Sequence, residues 1–140
     1  MTTNNFSNEE HNQLIKKISE TSNLYPVYSE LKDRIKLLAL KEDNEKTLEE
    51  YQKLMGILKE EIRKRIDENG YYFEYEPINY KDVPERIYFF ISQQNFNREN
   101  TIREVLKKEY GLNKDELKIK NRGLSTELDN AFLYYVQVVR

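Results

Sequence analysis

Side chains suited to acid–base chemistry are plentiful in this chain, but their spacing argues against that use. The pairs Glu49-Glu50, Glu60-Glu61, Asp67-Glu68 and Asp115-Glu116 are adjacent in sequence. On a helix such neighbours diverge by about 100°, whereas paired-carboxylate catalysis needs one group in an apolar pocket and its partner in a polar one. They also alternate with cations, as in Lys59-Glu60-Glu61-Ile62-Arg63-Lys64-Arg65, the pattern of a solvated helix face with i to i+4 ion pairs. His11 is the one imidazole. It could serve as a general base near neutral pH, but no second catalytic type stands at a telling spacing, and a solvated surface residue is the better reading.

Other chemistries fail on residue type. With no cysteine there is no disulfide framework, thiolate metal site or thiol nucleophile. Glu42-Asp43-Asn44-Glu45 is acidic but lacks the alternating ligands and central glycine of a calcium loop. Gly56, Gly70, Gly111 and Gly123 lie in no glycine-rich phosphate cradle, and neither the Walker A nor the dinucleotide pattern occurs. The expectation is a protein that is not an enzyme and carries neither metal nor cofactor.

Binding chemistry is better represented. Residues 98–122 carry a net charge of +3. Lys118, Lys120 and Arg122 fall on one face of a short strand opposite Leu117 and Ile119, with Lys114 just before them. Tyr72, Tyr88 and Tyr134 on neighbouring strands are candidate stacking platforms. A basic groove interleaved with aromatics suits single-stranded nucleic acid. Lysines on an edge strand equally oppose sheet-to-sheet aggregation, and no RRM, KH or helix-turn-helix motif accompanies them. The aromatic excess points elsewhere. Tyr71, Tyr72, Phe73, Tyr75, Tyr80, Tyr88, Phe89, Phe90, Phe96, Tyr134 and Tyr135 crowd one small sheet, which needs about half of them if a single face is covered. Tyrosine favours interfaces because an apolar ring carries a polar tip. Glu74 and Glu76 project beside Tyr72 on what reads as the wet face. Tyr72, Glu74, Glu76, Tyr88 and Tyr134 are therefore the expected partner-binding residues, for another protein or a second copy of the chain.

Periodicity supplies the elements that must position these groups. A capping box of Ser7 and Glu10 opens a first helix with Leu14, Ile15 and Ile18 as its stripe. A second starts near Pro26 and carries Tyr28, Leu31, Ile35 and Leu38 to about Lys41. A third, over residues 45–69, carries Leu48, Tyr51, Met55, Leu58, Ile62 and Ile66, with Asp43 or Asn44 as cap and Gly70 as stop. Gly56 inside it marks either a close helix crossing or simple tolerance. Only Glu42-Asp43-Asn44 separates the second and third helices, which predicts an antiparallel hairpin. After Gly70 the pattern becomes strand (71–75), strand (86–93), helix capped by Asn97 with Ile102, Val105, Leu106 and Tyr110 inward, short strand (117–121), polar link (123–130) and long strand (131–139). The last strand is apolar on both faces and belongs at the centre of the sheet, with 86–93 as the other central candidate.

The predicted class is α+β: a helical segment 1–69 containing the hairpin, then a ββαββ antiparallel-sheet unit 70–140 packed on it as one compact fold. Of the 140 residues 34% are charged, net charge is −2 and mean hydropathy is −0.90, which excludes a strongly basic chromatin-like protein and a strongly acidic DNA mimic. No basic leader precedes an apolar stretch, and no run approaches the length of about 20 apolar residues that a membrane helix needs. A soluble, cytoplasmic chain without a membrane partner is expected. Asn, Lys, Ile and Tyr supply 51 residues; all have AT-rich codons, which fits an AT-rich bacterium, its phage or a mobile element. The functional expectation is a small protein-interaction or regulatory protein, in one version a phage- or mobile-element-encoded inhibitor of a host enzyme or defence system. Nucleic-acid binding through residues 114–122 is the alternative, and a small-molecule pocket a further one.

Overall fold

The computed structural model describes residues 8–40, 45–78 and 82–139. The elements run α1 (Asn8–Glu20), α2 (Tyr25–Ala39), α3 (Glu45–Asn69), β1 (Tyr71–Tyr75), β2 (Arg86–Ser92), α4 (Arg98–Tyr110), a 3₁₀ turn (Lys114–Glu116), β3 (Leu117–Leu124) and β4 (Ala131–Val138). The class is α+β, with a four-stranded antiparallel sheet. Two compact units are distinguished, one ending at Glu61 and one beginning at Ile62, so α3 contributes to both. The expected caps Ser7, Asp43 and Asn44, the hairpin connector 42–44 and Tyr80 lie outside the described residues.

In the first unit, Ile18, Leu24, Val27, Leu31, Leu54 and Leu58 are fully buried. Leu54, absent from the predicted stripe, takes the inward place assigned to its neighbour Met55, which is half-buried. The α2–α3 pairing has a polar anchor: Arg34 Nη1 donates to Tyr51 Oη at 2.9 Å, and the guanidinium lies 5.8 Å from the ring centroid. That phenol, more than burial opposes it, raises the Arg34 pKa. α1 and α2, joined by residues 21–24, are likewise consistent with a helical hairpin. A Cβ at Gly56 would meet nothing within 4 Å, so no close crossing explains that glycine.

In the second unit the sheet order is β1-β2-β4-β3, which puts β2 and β4 at the centre as their two-sided apolarity predicts. Gly70, at φ 85°, turns the chain from α3 into β1 in a conformation that other residues adopt at a cost. α4 covers one face of the sheet. Ile87, Phe89 and Ile91 from β2 and Tyr134 and Val136 from β4 pack with Ile102, Leu106 and Leu112. Phe73 stacks on Phe89 at 5.1 Å between centroids. Burial raises the Tyr110 pKa at the rim of this core, and the neighbouring Tyr75 phenol adds to the rise.

Two local expectations hold only in part. Asn97 is the N-cap residue of α4 as expected, its carbonyl accepting the first helical bond from Thr101 N–H at 3.0 Å, but its side chain makes no capping bond. β3 runs three residues beyond Asn121, through a register shift between Asn121 and Leu124. Gly123, at φ 82°, permits that bulge. The "polar" link after it buries Leu128, which is 2% exposed.

Candidate functional site

The sheet face away from α4 is built from alternate residues whose direction the register fixes. Glu74 pairs with Tyr88, Tyr88 with Tyr135 and Tyr135 with Lys120, making one row across all four strands. The neighbouring row holds Arg86, Gln137 and Lys118, all exposed. On the other side stand Tyr72, Phe90 and Leu133. The Tyr88 and Tyr135 rings are 5.5 Å apart and tilted by 40°. Tyr72 and Phe90 stack at 6.1 Å.

The two ends of this face differ. At the β1 end, Arg65 from the last turns of α3 lies 5.9 Å from the Tyr72 ring centroid. Arg63 donates to the Glu127 carbonyl at 3.4 Å and meets Asp129 at 3.5 Å, while Asn130 Nδ2 donates to Asp67 Oδ1 at 3.1 Å. These contacts hold residues 127–130 to α3. Tyr72 is 4% and Glu74 8% exposed. Burial is the main force lifting the Glu74 carboxyl to about 7; a hydrogen bond from Tyr72 opposes it and the charge of Glu127 adds to it.

At the β3 end the face is exposed and basic. Lys118, Lys120 and Arg122 are exposed, with Tyr135 and Tyr88 half-buried beside them. The Arg122 guanidinium lies 5.9 Å from the Tyr135 ring centroid. No ion pair among the described residues engages Arg86, Lys118 or Lys120.

The structure therefore divides the five residues expected to bind a partner. Tyr72, Glu74 and Tyr88 share the outer face, and Glu76 lies exposed just past β1. Glu74 is not on a wet face as expected, because that end of the sheet is closed. Tyr134 points the other way, opposite Phe89, 4% exposed in the α4 core. Its hydroxyl accepts from Arg98 Nε at 3.0 Å, and the same guanidinium lies 4.0 Å from the Phe132 centroid. Tyr134→Phe removes that acceptor and is expected to cost about 1 kcal/mol of stability while leaving the outer face unchanged. A denaturation midpoint unchanged from wild type would refute the structural role given to this hydroxyl.

Of the basic residues, Lys118, Lys120 and Arg122 do share a face as predicted; exposed Lys114 precedes them in the 3₁₀ turn. Arg86 and Tyr135 are additions. Arg86 was legible, since it alternates with Tyr88 in one strand. Tyr135 was not, because Tyr134 and Tyr135 are adjacent in a strand apolar on both faces, and only the pairing register says which meets Lys120.

His11 is half-buried rather than solvated, with Nδ1 3.6 Å from a Glu50 carboxylate oxygen. Among the described residues, no group of three histidine or acidic side chains could hold a metal ion, and no helix is long and apolar enough to cross a membrane. Comparisons with protein-family models, curated proteins and solved structures give no match.

Proposed function

We propose that this is a non-enzymatic regulatory protein that acts by binding, and that the β3 end of the outer sheet face receives an anionic macromolecule. The observation that carries this reading is the exposed set Arg86, Lys118, Lys120 and Arg122 around Tyr88 and Tyr135, on a chain whose net charge is −2. Long-range attraction needs a local field rather than a basic total. The aromatic pair adds contact area beside that field. A purely protective role for edge-strand lysines explains the charge of β3 but gives no part to Arg86, which lies on β2 in the interior of the sheet.

The test uses the tagged 140-residue chain and a triple variant, Lys118→Glu, Lys120→Glu and Arg122→Glu, as baits in bacterial lysate. Recovered protein is read by mass spectrometry and nucleic acid by staining, with and without nuclease. All three positions are exposed, so the variant should melt within about 2 °C of wild type. The expected result is a species recovered by the wild type and lost with the variant. Identical recoveries by both baits would refute the assignment of this face.

A further inference from the structure

Resting on that binding reading, we infer that the anionic partner is single-stranded nucleic acid, held by its phosphates along β3 and by a base stacked on Tyr135. Three features of the face select this chemistry over other polyanions. The first is spacing. Lys118 and Lys120 are alternate residues of one strand, so their stems rise from the sheet about 7 Å apart, close to the separation of successive phosphates in an extended single strand. Arg122 continues the line past the bulge, and Arg86 flanks it from β2 across Gln137.

The second is the ring. Tyr135 sits between Lys120 on β3 and Tyr88 on β2, so a chain of phosphates tracking β3 brings its bases over the tyrosines. Stacking on an aromatic side chain is the sequence-tolerant part of single-strand recognition. The guanidinium of Arg122 already lies 5.9 Å from the Tyr135 centroid; a base takes that place as Arg122 turns to a phosphate. The third is shape. The flat face of a sheet presents nothing that enters the major groove as a helix or ribbon does, and a paired duplex hides its base faces. An acidic protein surface would satisfy the cations, but its carboxylates carry no aromatic face that recurs with each charge to stack on Tyr135.

The experiment measures fluorescence anisotropy of labelled 20-nucleotide oligo-dT and oligo-U, and of a duplex of equal length, against the full chain. With four phosphate contacts, affinity for a single strand should fall about 50-fold between 50 and 200 mM salt. The Lys118→Glu, Lys120→Glu, Arg122→Glu variant should lose binding. Tyr135→Leu should weaken it roughly ten-fold and Tyr135→Phe should leave it nearly unchanged, a contrast that charge alone cannot produce. The inference is overturned if neither oligonucleotide binds at 50 mM salt, if the duplex binds as tightly as the single strands, or if Tyr135→Leu binds like wild type. Should the oligonucleotides fail while a nuclease-resistant protein is still recovered by the wild type and lost with the triple variant, the binding reading stands and the nucleic acid does not. Should both fail, the face is not a binding surface.

Discussion

Glu74→Gln is expected to stabilise the protein at pH 8 by roughly 3 kcal/mol and to flatten its stability between pH 4 and pH 8. Burial beside Tyr72 lifts the carboxyl from 4.5 to about 7, and nearby Glu127 pushes the same way. A folded-state pKa above the unfolded one means that the native state holds the proton more tightly. The stabilisation is fully present below the unfolded value and is lost as pH rises through the folded value, so wild type should weaken steadily between about pH 4.5 and pH 8. Glutamine stays neutral throughout, and its amide oxygen accepts from Tyr72 as the carboxylate does. Urea unfolding of both proteins at a series of pH values checks this. Their difference should be near zero at pH 4 and largest at pH 8; parallel profiles would refute it. This site also shows why alternation alone misplaces Glu74. The strand pattern Tyr-Tyr-Phe-Glu-Tyr assigns it correctly to the face away from α4 but cannot show that the last turns of α3 return over the same end of the sheet.

That division between local pattern and long-range pairing recurs along the chain. α3 was legible to both ends, Glu45–Asn69, because a 3.6-residue stripe and a terminal glycine are local signals. β2 and β4 could be placed at the centre because both of their faces are apolar. The phase of a stripe is less secure where two apolar residues adjoin, as Leu54 and Met55 show. Strand length and register are set by pairing. The bulge that extends β3 to Leu124 needs β4 opposite it, and a slip of one residue would exchange Tyr134 for Tyr135 on the outer face. The cations of the candidate site and Tyr88 were therefore readable from the sequence, whereas Tyr135, the ring that the register sets between Tyr88 and Lys120, was not.

The same separation of faces sets the second large effect. Phe89→Ala should cost about 3–5 kcal/mol, a large part of the roughly 5–15 kcal/mol typical of a whole domain. Phe89 is 0% exposed; it stacks on Phe73 at 5.1 Å and lies 6.2 Å from Tyr71, inside the core that Ile102 and Leu106 close from α4. Truncation removes the ring and leaves a cavity that neighbours from three strands and a helix cannot all move to fill. Its adjacent residue Tyr88 points to the outer face and pairs with Tyr135, which is half-buried. Tyr135→Leu keeps an apolar side chain at a partly wet position and should cost less than about 1.5 kcal/mol. Denaturant midpoints for the two variants, with unchanged slopes, measure the contrast directly. A cost below about 1 kcal/mol for Phe89→Ala would mean that the α4 face is not the core. A cost for Tyr135→Leu matching that of Phe89→Ala would make Tyr135 a core residue, unable to leave Arg122 for a base. The expected inequality is thus the physical condition for the proposed binding face: the sheet is free to offer the aromatics of one side only if those of the other side hold it together.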